Sequence, residues 1–192
     1  MLVLIKGAGD LATGAAVRLY RAGIPVVMTE VAQPTAVRRT VAFSQCMYDG
    51  AAQVEGISAR RAEDAGAARR ALERGEVPVL CDPEAAILRE LPFDGVVDAI
   101  LAKRNLGTAI TDAPVVLALG PGFTAGVDCH GVVETMRGHN LGRLLTQGSA
   151  APNTGVPGDV GGYTTQRIIR APADGAFEPL AAIGQRVEEG QP

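Results

Sequence analysis

Two glycines one residue apart, Gly7 and Gly9, stand between an apolar run and a helix-like segment, and an acid, Glu30, closes the next apolar run. These residue types at this spacing suit a ligand that carries an anion and a sugar. Gly7 permits a tight turn. Gly9 lets backbone approach an anion without a side chain between them, and the following helix aims its unsatisfied N–H groups and positive dipole end at the same point. Ala12 fills the third small place of the G-x-G-x-x-G/A pattern. An acid at the position of Glu30 can accept hydrogen bonds from ribose hydroxyls. Asp10 supports a competing reading. It is a good helix N-cap, and its carboxylate would then hold the N–H groups that a phosphate needs, and repel the phosphate unless it turns away. Thr13 and Gly14 fit either close phosphate approach or close packing of the helix.

A second set of polar residues follows predicted strands, at the edge where open α/β sheets bind ligands. Arg38, Arg39, Lys103 and Arg104 suit a cationic pocket for a phosphorylated or otherwise anionic ligand; the alternative is a set of solvated surface charges. Gly120 and Gly122 flank Pro121 in a second glycine-rich loop, which suits either a backbone anion nest or a tight crossover between domains. Asp82 and Asp98 also end strands, the latter grouped with Lys103 and Arg104. Asp128 and His130 would share one face of a strand, as a pair or as two metal ligands, but two histidines with scattered acids name no metal site. Cys46, Cys81 and Cys129 form no C-x-x-C and read as small buried hydrophobes, Cys81 as core. No common hydrolase signature and no Walker A lysine occur, so no catalytic group is identifiable.

The elements that must position these residues alternate. Apolar runs at 2–5, 25–28, 77–81, 95–100 and 114–119 read as strands, with 54–59 as an added one. A helix is expected after Gly9, a second over 63–74 ended by Gly75, a short one over 84–90, and helical structure up to Tyr48. Strands alternating with helices predict an α/β fold with a Rossmann-like, largely parallel sheet over residues 1–120. Past Gly120 glycines multiply and helical periodicity stops. Residues 121–192 read as a β-rich region with candidate strands at 131–135, 143–146 and 166–170, and a loop or linker at 150–158 marks a boundary. From about residue 164 the tail looks like the opening half of a biotinyl/lipoyl-like barrel-sandwich module, with Asp174-Gly175 as its hairpin turn and no lysine for a carried group. That module would be incomplete at Pro192.

Charge and hydropathy set outer bounds. With 47% hydrophobic and 20% charged residues the chain is globular, and a net charge of −3 argues against electrostatic binding of nucleic acid. The apolar runs are too short to span a bilayer or to form a signal-peptide core, so the expectation is a cytoplasmic protein with no membrane partner.

Six segments taken together resemble a known family: KGAGDLATG (6–14), MTE (28–30), QPTAVRRTVAF (33–43), DAILAKRN (98–105), LGPGFTAGVD (119–128) and ETMRGH (134–139). The set is similar to the YqeB-type accessory proteins of selenium-dependent molybdenum hydroxylase systems, over most of the chain up to about Gly175. The resemblance implies a maturation factor for a molybdenum hydroxylase, with that enzyme as partner and molybdenum cofactor or a nucleotide as the anionic small molecule bound. It transfers no catalytic residue, and members are expected to continue past Pro192. Two other readings stand beside it: an NAD(P)-dependent oxidoreductase, with Glu30 favouring NAD, and a non-catalytic scaffold that docks a hydroxylase.

Overall fold

The computed structural model describes residues 1–191. One nine-stranded sheet organises the first compact unit, Met1–Thr154. Its strands in chain order are β1 (Val3–Lys6), β2 (Val26–Glu30), β3 (Ala51–Val54), β4 (Ile57–Ala62), β5 (Val77–Cys81), β6 (Gly95–Asp98), β7 (Val115–Leu119), β8 (Gly131–Val133) and β9 (Leu144–Leu145). In space they run β3-β4-β5-β2-β1-β6-β7-β8-β9. All neighbours are parallel except the end pairs β3–β4 and β8–β9. β1 is buried throughout, as a parallel strand covered on both faces must be. Chain order reverses around β1: β2 lies on one side and β6 on the other, which makes the carboxyl ends of β1 and β6 the switch point of the sheet.

The α/β fold expected from the sequence is therefore present, with fewer helices than the alternation suggested. Helix α1 is Asp10–Arg21, α2 is the single turn Cys46–Asp49, and α3 is Ala65–Glu73. α1 lays Ala12, Ala16 and Val17 on a core with Ile5, Met28, Val79 and Phe43. Period-two alternation sends Leu4 of β1 to the other core, with Val27, Val96, Ala68 of α3 and Ile87. The helix expected at 84–90 is a 3-10 turn, Ala86–Arg89, whose Ala86 and Ile87 N–H groups donate to the Asp82 carboxylate. The added strand at 54–59 is instead a hairpin, β3 and β4, about the turn Glu55-Gly56. Both turn residues have positive φ, 50° and 80°, as a two-residue hairpin turn that matches strand twist demands. Asp64 caps α3 by accepting from the Ala67 N–H at 2.6 Å.

Strands β8 and β9 lie within the stretches 131–135 and 143–146 and join the same sheet as β1. Glu134 then holds the returning chain: its carboxylate accepts from the Met136 and Ala151 N–H groups, which keep its pKa below the usual carboxylate range. The second compact unit begins at Gly155, inside the 150–158 loop. Its described residues form no strand. The expected strand at 166–170 is a 3-10 turn at Thr165–Arg167, followed by irregular chain in which Ile169 is 99% exposed. A strand needs a partner to satisfy its N–H and C=O groups, and among the described residues of this unit the sole pairing is the bridge between Val160 and Tyr163. Among the described residues no helix is long and apolar enough to cross a membrane.

Phe43 is fully buried and sits where the loop after β2 meets α1, its N–H donating to Thr13 Oγ1 at 2.8 Å. Phe43→Ala is expected to cost about 3–5 kcal/mol, because the surrounding sheet cannot collapse into the hole. Urea unfolding followed by circular dichroism measures it.

Candidate functional site

A cleft of about 350 Å³ opens at the carboxyl edge of the sheet beside the switch point. Its walls are the glycine turn with the first residues of α1, Glu30 and Val31 after β2, residues 34–36, and residues 99–101 after β6. The sequence builds each wall locally. Gly7 has φ +93°, and a Cβ there would lie 3.0 Å from the Ala99 carbonyl oxygen, so a side chain at residue 7 is barred twice over. Gly9 is the N-cap of α1 with ordinary negative φ, and a Cβ added to it would meet nothing within 4 Å. The absent side chain at residue 9 leaves open space in the cleft wall.

Asp10 does not take the capping role its residue type suggested. Gly9 caps α1 without any side-chain hydrogen bond, and Asp10 is the first helical residue. The first intrahelical N–H bond is that of Thr13 to Gly9, at 2.8 Å. The N–H groups of Asp10, Leu11 and Ala12 are thus left for an occupant of the cleft. The Asp10 carboxylate turns to Arg38, which donates from Nη1 at 2.6 Å. Arg38 therefore neutralises the carboxylate in the first turn of the helix. Arg39 turns elsewhere, to Gln45 Oε1 at 3.0 Å. Thr13 takes the packing role: buried, it donates to the Ala8 carbonyl and accepts from the Phe43 N–H.

Glu30 works from the opposite wall. One carboxylate oxygen accepts from the Ala8 N–H at 2.9 Å and the other from the Val31 N–H at 2.8 Å. It braces the glycine turn and still faces the cleft, with a lone pair on each oxygen to spare.

The second glycine loop does not line this cleft. Residues 99–104 lie between it and the first. A Cβ on Gly120 would lie 3.3 Å from Leu101 Cδ2, and one on Gly122 only 2.6 Å from Arg104 Cα. Lys103 and Arg104 are exposed beside that loop and have no ion pair among the described residues. Asp98, grouped with them in sequence, is 1% exposed and points to a different partner. It accepts from Thr108 Oγ1 at 2.6 Å, and Thr108 Oγ1 accepts from Lys6 Nζ at 2.6 Å. Lys6 and Asp98 are register neighbours at the ends of β1 and β6. Sequence reasoning missed Lys6 and Thr108. The available signal was two opposite charges ending two buried runs, VLIK and GVVD.

Asp128 and His130 precede β8 and are not paired. Asp128 accepts from the Thr124 N–H, and His130 Nδ1 from the Val116 N–H. Among the described residues no group of three His, Cys, Asp or Glu could hold a metal ion. Cys81 is exposed, contrary to its expected place in the core: it is the last residue of β5 and, by period-two alternation, lies on the face of Val77 and Val79, opposite the one that α3 covers at Leu80. Cys46 and Cys129 are buried; burial pushes the Cys46 thiol up to about 12 and raises that of Cys129.

The chain is 54% identical over 189 residues, 98% of its length, to a protein of Escherichia coli (strain K12) whose printed name is "Uncharacterized protein YqeB". The chain spans about a third of that relative's length, 35%. No family model matches it, and no solved structure does.

Two outcomes follow from this geometry. Gly7→Ala should lose several kcal/mol, with strain at positive φ and a backbone clash, whereas Gly9→Ala should lose about 1 kcal/mol or less. Denaturant titrations of the two variants separate these values. Native protein treated with a thiol reagent near pH 8 should release one equivalent, from Cys81, and three only after unfolding.

Proposed function

We propose that this protein binds an anionic nucleotide, or molybdenum cofactor, in the cleft beside the switch point, and that it serves as an accessory or maturation factor for a molybdenum hydroxylase. The observation that carries the binding reading is the open first turn of α1. Three N–H groups and the positive helix end face a cleft next to a glycine without a side chain, and the neighbouring Asp10 charge is held by Arg38. Phosphate fits that corner. Glu30, on the facing wall, supplies acceptors for sugar hydroxyls. Lys103 Cα is two residues from Leu101, so it lies within about 7 Å of the cleft wall, and its side chain can add positive charge at the rim. The hydroxylase role rests on the six segments that resemble the YqeB-type family and on the likeness to YqeB.

An oxidoreductase would use the same turn and Glu30. It would also need a proton donor placed for a substrate, and the cleft walls carry no histidine, lysine, tyrosine or cysteine.

Calorimetric titration with isolated molybdenum cofactor and with nucleotides should give saturable binding of at least one of them. Folded protein that binds none refutes the site. A strain lacking the protein should lose molybdenum hydroxylase activity, and full activity refutes the role. Arg38→Ala should weaken anion binding roughly ten- to hundred-fold, because the Asp10 charge is then uncompensated. Its melting temperature should change little, since the pair is solvent-exposed. Adding Asp10→Asn to that variant should restore much of the lost affinity.

A further inference from the structure

Resting on the nucleotide reading of the cleft, we propose that its ligand is a mononucleotide, one base, one sugar and one phosphate group, and that residues 99–108 exclude a dinucleotide. In open sheets of this kind a dinucleotide lies across the switch point, one half over β1 and β2 and the other over the strands beyond. Here that second half would have to cross from the Gly7 turn toward the loop after β7. The path is filled. At one end Ala99 and Ile100 press on Gly7, with backbone atoms 3.0–3.1 Å from where its Cβ would be. In the middle the Leu101 side chain reaches Gly120, and at the far end the Lys103 and Arg104 backbone lies against Gly122. No residue of β7 or of the loop after it lines the cleft, which ends at Leu101.

The filling segment is held in place. Leu101 and Lys103 adopt positive φ, 59° and 64°, a conformation costing about 1–3 kcal/mol for each non-glycine residue, so other bonds must impose it. They are found at both ends. Asp98 Oδ1 accepts from the Ile100 N–H at 3.2 Å. Asn105 Oδ1 accepts from the Gly107 and Thr108 N–H groups, and its amide donates to the Thr108 carbonyl. That turn presents the Thr108 hydroxyl to Lys6 and Asp98 under the sheet edge. The segment is therefore a fixed wall, and the volume left, about 350 Å³, is at the small end of ligand sites.

The test compares each nucleoside monophosphate with the dinucleoside diphosphate of the same base, so that base preference cancels. Calorimetry on the full chain should show at least one monophosphate binding roughly tenfold or more tightly than its matched dinucleotide. Equal or tighter binding of the dinucleotide overturns the inference while leaving the nucleotide site standing. Binding of no member of any pair overturns the inference, and the site falls with it when molybdenum cofactor also fails to bind. Leu101→Gly gives a second arm. Glycine suits positive φ, so folding is not at risk, and the variant removes the side chain that closes the passage. The ratio of monophosphate to dinucleotide affinity should fall several-fold toward one, and an unchanged ratio overturns the assignment of Leu101 as the barrier.

Discussion

Lys6 and Asp98 end adjacent strands inside the protein, 4% and 1% exposed, and the Thr108 hydroxyl stands between them. Burying one charge without a partner costs several kcal/mol. The two strand ends thus demand a bridging group that accepts from an ammonium and donates to a carboxylate, and a hydroxyl does both. Meeting that demand brings residue 108 back under the sheet edge. The intervening residues must then cross the carboxyl ends of β1 and β6 in a short, bent path, two of them at positive φ. The wall of the cleft and the contacts to both glycine turns follow from this one fastening.

The charges around α1 have a similar logic. A helix start with no side-chain cap leaves donors unsatisfied, and an acid in the first turn is the usual remedy. Asp10 is that acid, yet its carboxylate is drawn outward to Arg38, and the donors stay open to the cleft. Glu30 is drawn inward instead and braces the glycine turn through the Ala8 N–H. One acid is neutralised and the other becomes part of the frame. The result is a cleft with donors on one wall and acceptors on the other.

The residues from Gly155 onward present a different balance. Phe177, Leu180 and Ile183 are exposed, and the described part of this unit forms no sheet of its own. The alternation of glycine turns and apolar pairs legible in this stretch is a local pattern without the pairing that would turn it into strands.

What the sequence determined by itself was the framework set by local rules. Buried apolar runs named β1, β2, β5 and β6, because a parallel strand covered on both faces must be largely apolar, and the apolar run at 115–119 named β7, although that strand is buried on one face only. The Gly7–Gly9 turn, α1 and the acid Glu30 were legible because each is a short-range requirement of one βαβ unit. Only the tertiary structure decided which way Asp10 turned, that Thr13 packs rather than binds, and that Gly120 and Gly122 face the 99–104 segment instead of the cleft. It alone joined Lys6, Asp98 and Thr108, residues separated by as many as 102 positions. Propensity and periodicity act over a few residues. Compensation of a buried charge acts through space, and its partner is chosen by the register of the sheet.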